Sequence, residues 1–308
     1  MKVTIVNKIL YRDIPSASGL EIIGNSVYVV GDDSPFLYVL DLKTLKQVGT
    51  IRLFQTDLFG SGRIPKALKP DLESLTALTI AGEKYLVAFG SGSAPTRTKC
   101  YTVKLPRDAG LPAEVKEYSL EELYTALQQN KTLLAGDLLN LEAAAVTPHN
   151  ELLLLQRSAL NGPNALLRFN AAEFTHYLTG NSNRLPACDT FRFELPGISE
   201  YKSRFSGANT FEDKLFFTAS VENTTDAILD GEVIGSFVGW LNISTLQPGT
   251  DSLPLQTALI TDQNGEPYKG KVESLAIQQK EGTDTYRGLA ITDNDNGESE
   301  LLELLITL

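Results

Sequence analysis

Short apolar runs separated by clusters of Gly, Asn, Asp and Ser recur from one end of this chain to the other. Runs rich in Val, Ile, Leu, Phe and Tyr and bounded by turn residues predict β-strands. They fall into groups of four. The first group covers residues 19–23, 26–30, 36–40 and 47–53, where Val27, Val29, Leu37 and Val39 predict half-buried strands. The second covers 74–80, 84–89, 99–104 and 113–118; the third 143–147, 151–155, 165–169 and 189–194; the fourth 207–211, 214–219, 237–243 and 254–260. The fifth has only three runs, 272–278, 286–292 and 300–307, and one unassigned run, 3–11, precedes the first group.

Each group opens with a related segment. The copies are Ser18-Gly-Leu-Glu-Ile, Glu73-Ser-Leu-Thr-Ala, Glu142-Ala-Ala-Ala-Val, Ser206-Gly-Ala-Asn-Thr and Glu273-Ser-Leu-Ala-Ile, spaced 55, 69, 64 and 67 residues apart. A period of this size predicts a repeat of blades. The expected fold is therefore all-β, a single five-bladed β-propeller spanning 1–308. The first run supplies the strand missing from the last blade, because closing the ring hides the exposed sheet edges. Two helical insertions interrupt the pattern. Ser119-Leu-Glu-Glu122 reads as a capping box opening a helix over 120–130, with Leu120, Leu123, Tyr124 and Leu127 on one face. A shorter helix, 171–178, ends at Gly180. Both are expected to pack on the rim of the disc.

Composition narrows the function classes. With 308 residues, 42% hydrophobic, the chain buries a large core. A formal charge of −11 argues against non-specific attraction to nucleic acid or anionic lipid. No apolar stretch reaches the length of a membrane span. The N-terminus lacks the pattern of a secretory signal, which leaves the compartment open. Cys100 and Cys188 fall in different repeats and are expected to be reduced, and two histidines, His149 and His176, are too few for a histidine-rich zinc site.

Ring geometry carries the candidate chemistry. The first residue of each segment bears a side-chain oxygen: Ser18, Glu73, Glu142, Ser206 and Glu273. Brought together at one end of the axis, the end called the top here, three carboxylates repel one another and take up protons or a cation. Carboxylates, hydroxyls and water suit calcium, which accepts many oxygens in irregular geometry. The competing expectation is that these side chains cap neighbouring backbone amides inside the propeller. Up-and-down strand order places the loops after each second strand around the same end. They include Asp32-Asp33-Ser34, the 90–97 loop ending in Arg97, Arg157-Ser158 with Asn161, residues 221–226, and Asp293-Asn-Asp-Asn-Gly297. Arg63, Lys66, Lys69, Lys202 and Arg204 enter from the preceding connections. Arg97, Arg157 and Arg204 are candidate anion clamps, and Asp32 and Asp293 candidates for positioning water. The expected partner is a small phosphorylated or polar ligand. The 90–97 loop lacks the ending of a P-loop, and residues 293–297 lack the bidentate Glu of an EF-hand.

The order Ser, Glu, Glu, Ser, Glu and its spacing resemble the axial calcium site of the calcium-activated nucleotidases, or soluble apyrases, which are five-bladed propellers. The Asp32-Asp33 doublet resembles one in that family. The chain departs from it at Ser74 and Ala143, where the family has aromatic residues, and at Ser34, where it has Arg. The resemblance implies an axial calcium and a nucleotide-hydrolysing surface above it. The alternatives are a non-catalytic binding propeller with structural calcium, and a lactonase- or esterase-like hydrolase.

Overall fold

Five four-stranded units account for almost all of the strands in the computed structural model, which describes residues 1–60, 62–105, 112–159, 162–223, 231–248, 255–294 and 296–308. Blade one is Ala17–Ile23, Ser26–Gly31, Phe36–Asp41 and Gln47–Arg52, and blade two is Leu72–Ile80, Glu83–Gly90, Lys99–Lys104 and Glu114–Ser119. Blade three is Leu141–Val146, Glu151–Gln156, Asn164–Asn170 and Cys188–Phe193. Blade four is Arg204–Phe211, Lys214–Glu222, Val233–Asn242 and Gln256–Thr261; Pro254, expected to open its last strand, lies outside the described residues. Blade five is Lys271–Glu281, Thr285–Asp293 and Ser299–Thr307, completed by Lys2–Tyr11. A two-residue ladder, Gly197–Ile198 with Tyr201–Lys202, is extra to the blades.

The ring closes as the missing strand requires. Lys2–Tyr11 runs antiparallel to Ser299–Thr307, from Lys2 opposite Thr307 to Tyr11 opposite Ser299. It also makes a short parallel contact with blade four, Val3 opposite Ile260 and Thr4 opposite Thr261, so blades four and five form one eight-stranded sheet. The Tyr11 hydroxyl donates to the Leu45 carbonyl and ties this strand to blade one.

Hydrophobic packing occurs between blades. Five buried clusters each join one blade to the next, and the last joins blade five to blade one through Leu289, Ile291, Val27 and Val29. The period of two distributes each strand between two clusters. Within Ser26–Gly31, Val27 and Val29 face blade five while Tyr28 and Val30 face blade two. The expectation of half-buried strands holds at Val39 and is corrected at Val27, Val29 and Leu37, which are wholly buried because each blade is covered on both faces.

The helices are also more interior than expected. Helix α1 (Glu121–Gln128), α2 (Lys131–Leu134) and α3 (Ala171–Leu178) contribute Leu123, Tyr124, Leu133, Leu134 and Phe174 to the cluster between blades two and three. They fill that wedge and do not merely decorate the rim. The capping box is not formed: Leu120 is the N-cap with no side-chain bond, and Ser119 Oγ accepts from the Glu121 amide at 3.2 Å. Helix α3 matches its expected span, and Gly180 follows with φ +73°. Both cysteines are free, and no helix among the described residues is long and apolar enough to cross a membrane.

Candidate functional site

All five motif residues sit at the same backbone defect. Each innermost strand slips register against its neighbour near its start: between Ala17 and Gly19, Leu72 and Ser74, Leu141 and Ala143, Phe205 and Gly207, and Val272 and Ser274; blade five slips a second time, between Ile277 and Gln279. The residue skipped near the start is Ser18, Glu73, Glu142, Ser206 or Glu273 each time. A β-bulge leaves one residue outside the ladder and re-aims its side chain. Gly19 and Gly207 follow two of the bulges, where an added Cβ would lie 2.8 Å from the Leu75 amide nitrogen and 2.6 Å from Ser274 Cα in the adjacent inner strands. That closeness brings the bulged residues together.

The serines and glutamates then behave differently. Ser18 Oγ donates to the Leu72 carbonyl at 2.5 Å, and Ser206 Oγ to the Val272 carbonyl at 2.6 Å. Each acceptor immediately precedes the motif glutamate of the next blade, so these hydroxyls staple blade to blade through carbonyls rather than the amides that the capping expectation named. Among the glutamates, Glu142 accepts from Asn140 Nδ2 at 2.6 Å and Glu273 pairs with Lys271 Nζ at 2.8 Å. Glu73 offers an oxygen within 4.8 Å of oxygens from Asp32 and Asp71. Burial, then repulsion from Glu142, Asp71 and Asp32, holds the Glu73 carboxyl well above its ordinary range. Burial also raises Glu142 to about 7, with Arg157 opposing and Glu273 assisting.

A cavity of about 720 Å³ opens above this ring, lined by Asp32, Asp33, Asp71, Glu73, Glu142, Glu222 and Asp293, with Arg63, Lys66, Lys69, Arg97, Arg157, Arg204 and Lys271 interleaved. All five candidate catalytic residues therefore share one pocket, with Glu73 and Glu142 in its wall. Lys69 bridges Asp32 and Asp71, the latter at 2.9 Å. Asp32 is raised to about 7 by burial, helped by Asp33, Asp71 and Asp293 and opposed by Lys69. Burial also pushes Asp71 up, but Lys69 and Arg97 together outweigh it and leave its carboxyl below the ordinary value. Neighbouring carboxylates thus carry opposite shifts.

The three candidate clamps have different surroundings. Arg97 is fixed by Asp71 and Ser93, both at 2.8 Å, and by the Lys66 carbonyl. Arg157 is buried against Glu222 at 2.5 Å and also donates to the Phe205 carbonyl. Arg204 makes no side-chain hydrogen bond or ion pair among the described residues. Burial and the neighbouring Arg157 both lower its pKa, so its charge lacks sufficient compensation. Asp32 Oδ1 and Asp33 Oδ1 in the pocket wall, and Glu273 Oε2 in the ring, are buried acceptor oxygens without a hydrogen-bond partner among the described residues. The pocket therefore presents an uncompensated donor and uncompensated acceptors.

Several residues here were not expected. Asp71, Asn140 and Lys271 each stand two positions before a motif residue, as do Ser16 in blade one and the expected Arg204 in blade four. A polar residue at that offset in all five copies is a signal present in the sequence. Ser16 and Asp71 also share a left-handed backbone, φ 44° and 55°. Their carbonyls accept from the amides of Asp32 and Ser91, and Asn140 accepts likewise from Arg157, so the residue after each of these second strands is pinned above the bulge. In the blade-three to blade-five loops, Asn161, residues 224–226 and Asp295 lie outside the described residues.

A family model described as a family of unknown function, DUF6929, matches residues 13–306. A search of curated proteins finds no match. Among solved structures, an exo-1,5-alpha-L-arabinanase from a bovine ruminal metagenomic library aligns with TM-score 0.52 at 9% identity, over 94% of this chain and 92% of its own. A glutaminyl cyclase from Myxococcus xanthus aligns with TM-score 0.49 at 11% identity, over 99% and 97%. An alpha-L-arabinanase from Cellvibrio cellulosa gives 0.49 at 14%, over 96% and 92%. At these identities the likeness shows the fold alone. The resemblance to nucleotidases rests on the ring residues.

Proposed function

This chain belongs to the DUF6929 family of unknown function, and we propose that its upper pocket binds a small phosphorylated ligand beside a calcium ion and hydrolyses a phosphoanhydride. The observation that carries this reading is a pairing of unmet needs in one pocket: an Arg204 guanidinium with no side-chain hydrogen bond or ion pair among the described residues, its charge disfavoured by burial and Arg157, and buried oxygens of Asp32 and Asp33 with no donor among those residues. A phosphoryl group satisfies the first and a hard divalent cation the second.

The donor set fits such a cation. Glu73, Asp32 and Asp71 supply oxygens close enough to share one ion, with Glu142 and Glu273 behind them on the axis. Calcium held there would offset phosphoryl charge. The remaining roles belong to the chain. Arg204 holds the anion and neutralises charge developing on it. Asp32 and Asp293 orient an attacking water from the same wall. Arg97 and Arg157 act by fixing Asp71 and Glu222. Lys69 pairs with both Asp32 and Asp71, and its ammonium would have to move for these carboxylates to hold calcium.

Phosphate release from nucleoside diphosphates, measured in calcium and in chelator, tests the reaction. The expected result is calcium-dependent release that falls at least about 100-fold in Arg204→Gln, the scale of losing one preorganised charge-stabilising donor. Absence of release from every nucleotide would reject hydrolysis. The second reading, a non-catalytic binding propeller with the same pocket, is favoured by the Lys69 pairing, which occupies Asp32, one of the carboxylates assigned to the water.

A further inference from the structure

We infer that the ligand of the upper pocket is bipartite, an anionic group joined to an uncharged apolar one, and that Leu138 selects for the apolar part. This rests on the anion-binding reading above and adds what lies beyond the anion.

The charged floor of the pocket has an apolar lip. Leu138, Ala159, Ala94, Pro65 and Ile64 line the same cavity as Arg204. Leu138 is 45% exposed, although Leu133, Leu134, Leu139 and Leu141 around it are buried. An exposed leucine forgoes part of the free energy of burial, so what holds it there is informative.

It is held rigidly. The Leu138 amide donates to Asp137 Oδ1 at 2.8 Å, and its carbonyl accepts from Gln156 Nε2 at 2.9 Å. Both clamping residues are buried. Asp137 Oδ2 accepts from the amides of Ala159 and Gly162, at 3.0 and 2.8 Å, which joins the Leu138 turn to the opposite side of the lip. Gly162 is required for this: an added Cβ would lie 2.5 Å from Asp137 Cβ. Gln156 also accepts from the Asn140 amide at 2.8 Å and donates to the Arg157 carbonyl at 2.6 Å. One buried hydrogen-bonded hub therefore positions the apolar platform and the backbone of two pocket residues. A fixed apolar surface beside a fixed charged one suits a ligand with both characters, since apolar area recovers the exposure of Leu138 while Arg204 orients the anion.

Calorimetric titration of the full chain in calcium with phenyl phosphate and with inorganic phosphate tests this. Phenyl phosphate is expected to bind about tenfold more tightly, the gain from covering part of one leucine and one ring face. Leu138→Ser is expected to bring that ratio to about two and leave inorganic phosphate affinity unchanged, since the residue touches only the apolar part. Its melting temperature should match the parent, because the side chain is exposed. Equal affinities for the two probes in the parent chain would overturn the bipartite ligand and leave the anion site standing. An unchanged ratio in Leu138→Ser would overturn the role of Leu138. Failure of both probes to bind would reject the anion reading and this inference with it.

Discussion

Arg97, Arg157 and Arg204 line one pocket, and their contacts assign them different work. Arg157 is paired inside the protein, and removing one member of a buried ion pair costs about 3–5 kcal/mol. Arg204 has no such partner among the described residues, so Arg204→Gln is expected to change stability by less than ~0.5 kcal/mol. Thermal melts of Arg157→Gln and Arg204→Gln should therefore separate clearly, and equal losses would contradict the assignment. Sequence placed all three near the top face but did not rank them, because rank depends on partners distant along the chain, such as Glu222 for Arg157.

A second residue-scale prediction concerns the opposite mouth of the ring. There Glu21 lines a smaller cavity with Thr76, Lys84 and Asn209. Burial raises its carboxyl to about 7, against hydrogen bonds that lower it. The folded chain thus keeps this proton where the unfolded chain has released it. Its contribution to stability is present below the ordinary carboxylate value and declines as pH rises from about 4.5 to about 7. Glu21→Gln removes the titration. The melting temperature of the variant relative to the parent should rise between pH 5 and pH 8, and a constant offset across that range would contradict the burial argument.

At the scale of elements, the strands were largely legible because apolar runs and turn residues alternate cleanly. The strand 99–104 and the helix 171–178 match their expected bounds. The bulges were not legible, since a register slip is a relation between two strands and leaves no mark on either alone. The same gap hid the second tier of Asp71, Asn140 and Lys271, whose polarity reads as ordinary loop character until the bulge sets them above the ring. The capping box and the rim placement of the helices failed for a related reason: the wedge between blades two and three needed filling, and tertiary packing outweighed local signals. The first strand gives a direct test. It closes blade five and buries Val3 and Ile5. Deleting residues 1–11 should lower the melting temperature of the whole domain, because it opens the ring and exposes the edge of Ser299–Thr307. An unchanged melt would contradict closure by the paired ends.

At the scale of the molecule, a ring of blades converts weak local choices into one concentrated site. No single motif residue distinguishes itself in its own strand. Five bulges pointed at one axis gather Glu73, Glu142 and Glu273, so that Glu142 raises the proton affinity of Glu73 and Glu273 raises that of Glu142, with Lys69, Lys271 and Arg157 among them. The fold and the ring were read from periodicity. The balance of charge within the pocket was not, because it is set by which lysines and arginines the top loops deliver. The central claim is that these carboxylates hold a divalent cation. Calorimetric titration of calcium into the chelator-treated chain, beside Glu73→Gln, tests it most directly. The account predicts saturable binding to the parent chain and at least about tenfold weaker binding to the variant, the cost of one carboxylate ligand. No measurable binding to the parent, or equal binding to both, would contradict it.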